Sequence, residues 1–481
     1  MHKDITIKAI SDFLGLILSI VILSIVTKNL GTIKYGVFSQ VVTTITLLVP
    51  VLLIRLNTAS VRYFPIIIKD KIKIKEKFIS ILLIISGLSF VVSLGIYFNK
   101  DTVAKLIFDD ISYSYLILYL SIYIFVRAIL TYLIDFYRSI NKTKYSSVFI
   151  VTRFFFIFLS IIVTLTTSFS IVNVLVAYIT SEVMLIFVIF TILFQGYFKN
   201  IKTYFNFSGL KPYFLYSIPL VPYSILISIN QLGDRFFITH FLGIDKAGIY
   251  TFSYNLIGAA FMINTAIAYV IYPYISQMWA NNNKKKVKKY LEKGQNMFLY
   301  FAIPIIAGLF VLYPDLIVII AGDEFEIGRE LILLIALGYI FLGIYGINGY
   351  IIDLSQKTTF FLVILIISAT TNMILNFVLI PIYGIAGAAF STFVTYFIQA
   401  VIMYFIAQKL VGFKIDINFY FIFVCLLSTF VMLITMSFIK MDNVILQLIT
   451  SFVAGVAIYL GLTYFLLLKR KKLNIYNLLE D

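Results

Sequence analysis

The sequence predicts an all-α polytopic membrane protein of about fourteen transmembrane helices: two six-helix lobes, parallel repeats around a central cavity, followed by two additional C-terminal helices. Three observations predict it. Of the 481 residues, 61% are hydrophobic and only 12% charged, against roughly 45–50% and about 25% in an ordinary soluble domain. Apolar runs long enough to cross a bilayer, which takes about 20 residues, recur along the whole chain. A pattern at the end of the first run returns 212 residues later.

Interruptions by Lys, Asn, Gly and Pro place the spans near 10–28, 36–55, 78–98, 114–137, 146–165, 171–195, 215–242, 248–274, 295–314, 329–352, 358–380, 384–408, 419–438 and 444–468. No small-residue cleavage site follows the first run before Lys28 and Asn29, so it reads as a retained helix and not a signal peptide. Alternate connections carry 28 Lys and Arg on one side and 8 on the other. Basic side chains are held on the cytoplasmic side, so both termini are expected in the cytoplasm.

The repeated pattern is Thr27, Leu30, Gly31, Lys34, Gly36 and, at identical spacing, Thr239, Leu242, Gly243, Lys246, Gly248. Six spans separate the copies. An even number preserves orientation, as in transporters built from parallel repeats. The expected divisions are therefore an N-terminal lobe at 1–212, a second at 213–414, and two further helices with a short cytoplasmic tail at 415–481.

Several chemistries are excluded. Cys425 is the one cysteine, and His2 and His240 are the only histidines, too few for a disulfide, zinc or haem site; no metal or cofactor is expected. The excess of 38 Lys and Arg over 22 Asp and Glu reads as orienting loop charge, not as a nucleic-acid surface. Without a Gly-Lys dipeptide there is no phosphate-binding loop for an ATP-driven pump. The longest outer connections, about 99–113 and 315–328, are too short to fold as domains, which argues against a membrane polymerase or other enzyme.

What remains is a sparse set of ionisable residues at membrane depth, each costly unless it faces a polar cavity or a partner. Arg127 lies near the centre of span 4, Arg153 in the inner half of span 5 where it could snorkel, and Glu182 at the centre of span 6. A guanidinium at mid-bilayer can hold two phosphate oxygens at once; the alternative is that Arg127 pairs with Glu182. Asp234 and Arg235 in span 7 are adjacent, so they are not expected to share a helix face or form a simple pair. One would line the cavity and the other meet a neighbouring helix. Arg55 and Arg62, where span 2 enters the cytoplasm, suit either positive-inside anchoring or capture of a phosphate headgroup. Asp12 and Asp135 are candidates for ion coupling, and the tract Lys284–Lys289 for an anchor on anionic inner-leaflet lipids. Pro219 and Pro222 make span 7 the expected bending helix.

Three segments carry a family resemblance: Leu30-Gly-Thr-Ile-Lys-Tyr-Gly36; Ser217-Ile-Pro-Leu-Val-Pro with Asp234-Arg-Phe-Phe through Ala-Gly-Ile-Tyr250; and Leu379-Ile-Pro-Ile-Tyr-Gly-Ile-Ala-Gly-Ala-Ala389. Their order and positions resemble the polysaccharide transporter family, the Wzx-type flippases of the multidrug/oligosaccharidyl-lipid/polysaccharide exporter superfamily. The resemblance implies alternating access, a cationic cavity, and as cargo an undecaprenyl-pyrophosphate-linked oligosaccharide for O-antigen or capsule. It also implies a bacterial inner-membrane location, with a polysaccharide polymerase and glycosyltransferases as partners. A lipid II flippase, or a cation-coupled multidrug antiporter with Asp12 as coupling carboxylate, is the alternative.

Overall fold

The structure is a computed structural model that describes residues 2–199, 201 and 207–468. Lys202, the basic tail Lys469–Lys472 and the side chain of Lys3, all counted above for orientation, lie outside the described residues. Among the described residues every regular element is helical. The first compact unit, Met1–Thr251, holds α1 (His2–Leu52), α2 (Leu56–Tyr63), α3 (Lys71–Phe98), α4 (Lys100–Phe108), α5 (Ile117–Ser139), α6 (Thr143–Thr166), α7 (Ile171–Ile192), α8 (Lys211–Ser217), α9 (Leu220–Leu232), α10 (Asp234–Leu242) and the first turns of α11 (Ile244–Ala260). The second, Phe252–Asp481, holds the rest of α11, α12 (Ile263–Ala280), α13 (Lys284–Ile320), α14 (Arg329–Leu354), α15 (Thr359–Tyr383), α16 (Ile385–Val411), α17 (Phe419–Phe438) and α18 (Val444–Leu468).

Thirteen helical stretches in the described residues are long and apolar enough to cross a membrane. The first, Ile10–Leu52, joins two spans: at Gly31 the backbone leaves the helix with φ 69° and ψ 178°. That accounts for the fourteenth expected span. Helix starts follow ordinary capping chemistry, a side-chain oxygen accepting from an otherwise unpaired N–H of the first turn. Asp70 caps α3 from Lys73 N–H at 3.0 Å, Asn283 caps α13 from Lys286 N–H at 3.1 Å, and Asn418 caps α17 from Phe421 N–H at 3.0 Å.

Within the first unit α1 packs on α5, α6, α7 and α9, and α5 is held between α3 and α7. Buried Phe78 of α3 lies 4.4 Å between centroids from Phe136 and stacks on Tyr132, both on α5. These rings fix the helix that carries Arg127. Span 7 is not one helix: α8 ends at Ser217, Pro219 immediately precedes α9, and Pro222 lies in its first turn. A proline has no N–H to continue the ladder and is tolerated at a helix start, so the break falls where the two prolines predict bending. Span 8 is likewise interrupted between α11 and α12, where Phe261 and Met262 N–H groups bond three residues back, to Gly258 and Ala259.

The repeated turns share one backbone shape. Gly243, the counterpart of Gly31, has φ 99° and ψ 164°, a region essentially reserved for glycine. The copies also touch. A Cβ on Gly36 would stand 2.1 Å from the carbonyl oxygen of Ile244, and one on Gly248 would stand 2.8 Å from both Gly36 Cα and the carbonyl oxygen of Thr32. Since Ile244 is the counterpart of Thr32, each glycine meets the same position of the other copy, the reciprocity of a two-fold contact. Gln40 of α1 secures it, donating to the Arg235 carbonyl at 3.1 Å and to the Thr239 hydroxyl.

In the second unit α14 packs on α16 and on α13, close enough to α13 that a Cβ on Gly343 would meet the Phe298 ring. The expected span at 295–314 is part of a longer element, because α13 runs 37 residues through Pro304 and Pro314 to Ile320. At 1.5 Å per residue it measures about 55 Å, against a hydrocarbon core of roughly 30 Å, so its lysine-rich first turns extend beyond the apolar layer. α17 and α18 pack on α13, where the Tyr459 hydroxyl donates to the Tyr300 carbonyl at 2.6 Å.

Gly36→Ala is expected to destabilise the protein by about 1–3 kcal/mol through overpacking, because the added methyl meets backbone. Gly87→Ala, with nothing within 4 Å of its added carbon, serves as control. Thermal unfolding of the detergent-solubilised variants checks this; equal midpoints would show that the turns do not touch.

Candidate functional site

The first unit contains a buried ionic group built from three consecutive long helices. Glu182 of α7 is fully buried, and its Oε1 accepts from Arg127 Nη1 of α5 at 2.5 Å and from Arg153 Nε of α6 at 2.7 Å. The Tyr123 hydroxyl, one turn before Arg127 on α5, donates to the same oxygen at 3.3 Å. Two guanidinium groups face one carboxylate, leaving one positive charge in excess. The Arg127 side chain is 29% exposed and that of Arg153 13%, so the excess charge reaches a surface mainly through Arg127.

This geometry has the alternative arrangement named above, Arg127 paired with Glu182, and adds Arg153 to it. Arg153 does not snorkel: its Nε is held by the buried carboxylate, which outweighs extension toward water, and its guanidinium lies 5.2 Å from the Phe154 ring centroid. Tyr123 was not singled out in the sequence, although its spacing of four from Arg127 puts both on one helix face. Pairing does not consume the binding capacity of a guanidinium, which carries five N–H donors.

Asp234 and Arg235 correct the sequence expectation. They do form an ion pair, with Arg235 Nη1 2.8 Å from Asp234 Oδ1, and both side chains are buried. Their Cα–Cβ bonds diverge, but the long arginine folds back: Nη1 also donates to the Gln231 carbonyl at 2.7 Å. Asp234 Oδ2 accepts from the Tyr250 hydroxyl at 2.6 Å. Asp234 reaches neighbouring α11 through Tyr250, as one of the two was expected to, but Arg235 stays paired with it. The group joins α9, α10 and α11 beside the glycine contact.

The remaining candidates are dispersed. Arg55 adopts the left-handed conformation, φ 57°, at the turn into α2, and its buried Nε has no hydrogen-bond partner. Asp135 of α5 accepts from Asn57 Nδ2 at 2.7 Å, within electrostatic reach of Arg55 and Arg138. Exposed Arg62 lies 4.5 Å from the Tyr216 ring centroid, a cation–π contact. Asp12 pairs with Lys8 one turn earlier, 2.7 Å away, both half-exposed. Lys284 lies 5.6 Å from the Trp279 ring centroid.

Among the described residues the buried polar side chains of the second unit are uncharged. Gln295 of α13 donates to Asn348 of α14 at 2.9 Å, Asn376 to Asn372 along α15 at 2.9 Å, and Gln399 of α16 to Ser368 at 2.8 Å. Charge counting misses such groups; buried amides at helical spacing were the available signal. Beside α13, α17 and α18 lies a cavity of about 370 Å³ with almost wholly apolar walls, among them Phe301, Leu309, Met432, Met436 and Tyr459.

Among the described residues no group of three His, Cys, Asp or Glu side chains is placed to share a metal. Residues 1–279 match the family model described as polysaccharide biosynthesis protein. The chain belongs to that family. It is a flippase-type membrane transporter of the multidrug/oligosaccharidyl-lipid/polysaccharide exporter superfamily and not an enzyme. Residues 219–378 also match the MatE model. Along 98% of its length the chain is 26% identical to an uncharacterised membrane protein of Methanocaldococcus jannaschii, covering 96% of that protein. It is 24% identical to the probable low-salt glycan biosynthesis flippase Agl15 of Haloferax volcanii over 43% of this chain and 42% of that one. The fold is that of the lipid II flippase MurJ in an inward closed conformation, with a TM-score of 0.78 and 17% identity over 97% of this chain and 99% of that one. An inward-facing multidrug MATE transporter follows with a TM-score of 0.67 and 12% identity over 82% and 94%.

For this member of the polysaccharide biosynthesis protein family, Asp234→Asn is expected to cost about 3–5 kcal/mol, since it removes the countercharge beside a buried guanidinium. Tyr250→Phe is expected to cost about 1 kcal/mol, one hydrogen bond. Denaturation of the solubilised variants measures both, and an Asn variant as stable as wild type would exclude a buried pair.

Proposed function

We propose that the protein moves an undecaprenyl-pyrophosphate-linked oligosaccharide repeat unit from the inner to the outer leaflet by alternating access, for assembly of a surface polysaccharide. The observation that carries this reading is the excess positive charge at membrane depth on Arg127 and Arg153. Keeping a cation there costs several kcal/mol, and an anionic headgroup repays it: a pyrophosphate offers paired oxygens to a guanidinium fork. Arg55 and Arg62 fit an earlier contact with the same headgroup. The apolar cavity beside α13, α17 and α18 has the chemistry of a polyprenyl chain. Family membership and the flippase relatives support a lipid-linked glycan as cargo.

In this reading the two six-helix repeats, 1–212 and 213–414, perform the transport, and the helices of 415–481 are an appendage that serves the lipid tail. Both termini are cytoplasmic in a bacterial inner membrane. The lysine-rich start of α13 rests on anionic inner-leaflet lipids. The glycosyltransferases that build the repeat unit and the polymerase that consumes it are its working partners.

In a deletion strain, undecaprenyl-pyrophosphate oligosaccharide is expected to accumulate on the cytoplasmic side and to clear when the gene is restored. Arg127→Ala is expected to fail to clear it at normal membrane abundance, and Arg127→Lys to do so partially. Lipid extraction and mass spectrometry read the result. No accumulation, with new sensitivity to cationic drugs, would point instead to an antiporter; clearance by both variants would remove Arg127 from the cargo site.

A further inference from the structure

Resting on the proposed anionic cargo, one feature of the arginine site remains unexplained: why a fully buried glutamate sits in it. Glu182 receives its hydrogen bonds on Oε1, from Arg127, Arg153 and Tyr123. Its Oε2 is buried with no hydrogen-bond partner. A carboxylate serving only to pack three helices would be expected to satisfy both oxygens, because a bare buried one carries the full desolvation penalty. A bidentate pairing would use both oxygens against one guanidinium. Here both arginines are instead gathered onto a single oxygen.

We propose that Glu182 is a built-in counter-anion that an anionic ligand displaces. With the site empty, Glu182 neutralises one of the two guanidinium charges and holds both groups in place at membrane depth. A phosphate oxygen arriving at the more exposed Arg127 competes with the carboxylate for the guanidinium's positive charge, so binding is an exchange of one anion for another. Exchange sets affinity low enough for release: on departure of the ligand the carboxylate re-forms its contacts and the site resets. Glu182 is therefore a positioning and affinity-setting residue; the contacts to the ligand belong to the arginines.

The test is binding of radiolabelled inorganic pyrophosphate to the purified full-length protein in zwitterionic nanodiscs, with clearance of lipid-linked oligosaccharide measured in cells. Glu182→Gln removes the competing charge and is expected to bind pyrophosphate roughly tenfold tighter, the scale of one charge-assisted hydrogen bond, while clearing cargo more slowly. Structural damage alone would not raise affinity. Glu182→Asp, which keeps the charge but has less reach, is expected to tighten binding about threefold and keeps the test available if the Gln variant does not fold. Wild-type or weaker affinity in a folded Gln or Asp variant, with binding lost in Arg127→Gln, would overturn the exchange while leaving the anion site intact. Absence of saturable binding in wild type and all variants would overturn both the exchange and the anion site beneath it.

Discussion

The first unit depends on a carboxylate that cannot stand alone. Glu182 is fully buried at a depth where an uncompensated charge costs several kcal/mol, and its partners come from two other helices. α5, α6 and α7 are thereby tied at one point with a directionality that apolar packing lacks, since lipid tails compete with every leucine contact. The partners outnumber it by one charge. That imbalance distinguishes the group from a simple ion pair, and in the proposed function it is what the transporter offers an anion.

A second constraint lies in the two glycine turns. Gly31 and Gly243 give each copy its shape, and Gly36 and Gly248 bring backbone against backbone. The buried Asp234–Arg235 pair sits next to this contact and Gln40 bridges to it. Span 7 is broken at its prolines just before this region, so the chain combines a rigid contact with an adjacent interruption in one element.

Much of this was legible in the chain. Span positions followed from hydropathy because a membrane leaves the backbone few options other than a helix, and the glycine repeat marked a turn that only glycine permits. Equal depth on nearby helices offered the Arg127–Glu182 pair as one of two readings of Arg127. What failed were inferences from local geometry alone. Asp234 and Arg235 seemed unable to pair from their adjacent positions, yet a long side chain at a helix start folds back across the axis. Arg153 seemed able to snorkel because depth was visible and rotation was not. The amides of the second unit escaped notice because uncharged polar groups barely alter hydropathy.

The reciprocal glycine contact has a genetic consequence. In most duplicated proteins the copies drift apart independently once each has its own role. Here the two copies of a turn are each other's packing surface, so a change in one alters the environment of the other. A bulkier residue admitted at position 36 would call for a changed backbone path at 244, and the same holds from 248 to 32. The two segments are bound to vary together, held in step by steric necessity.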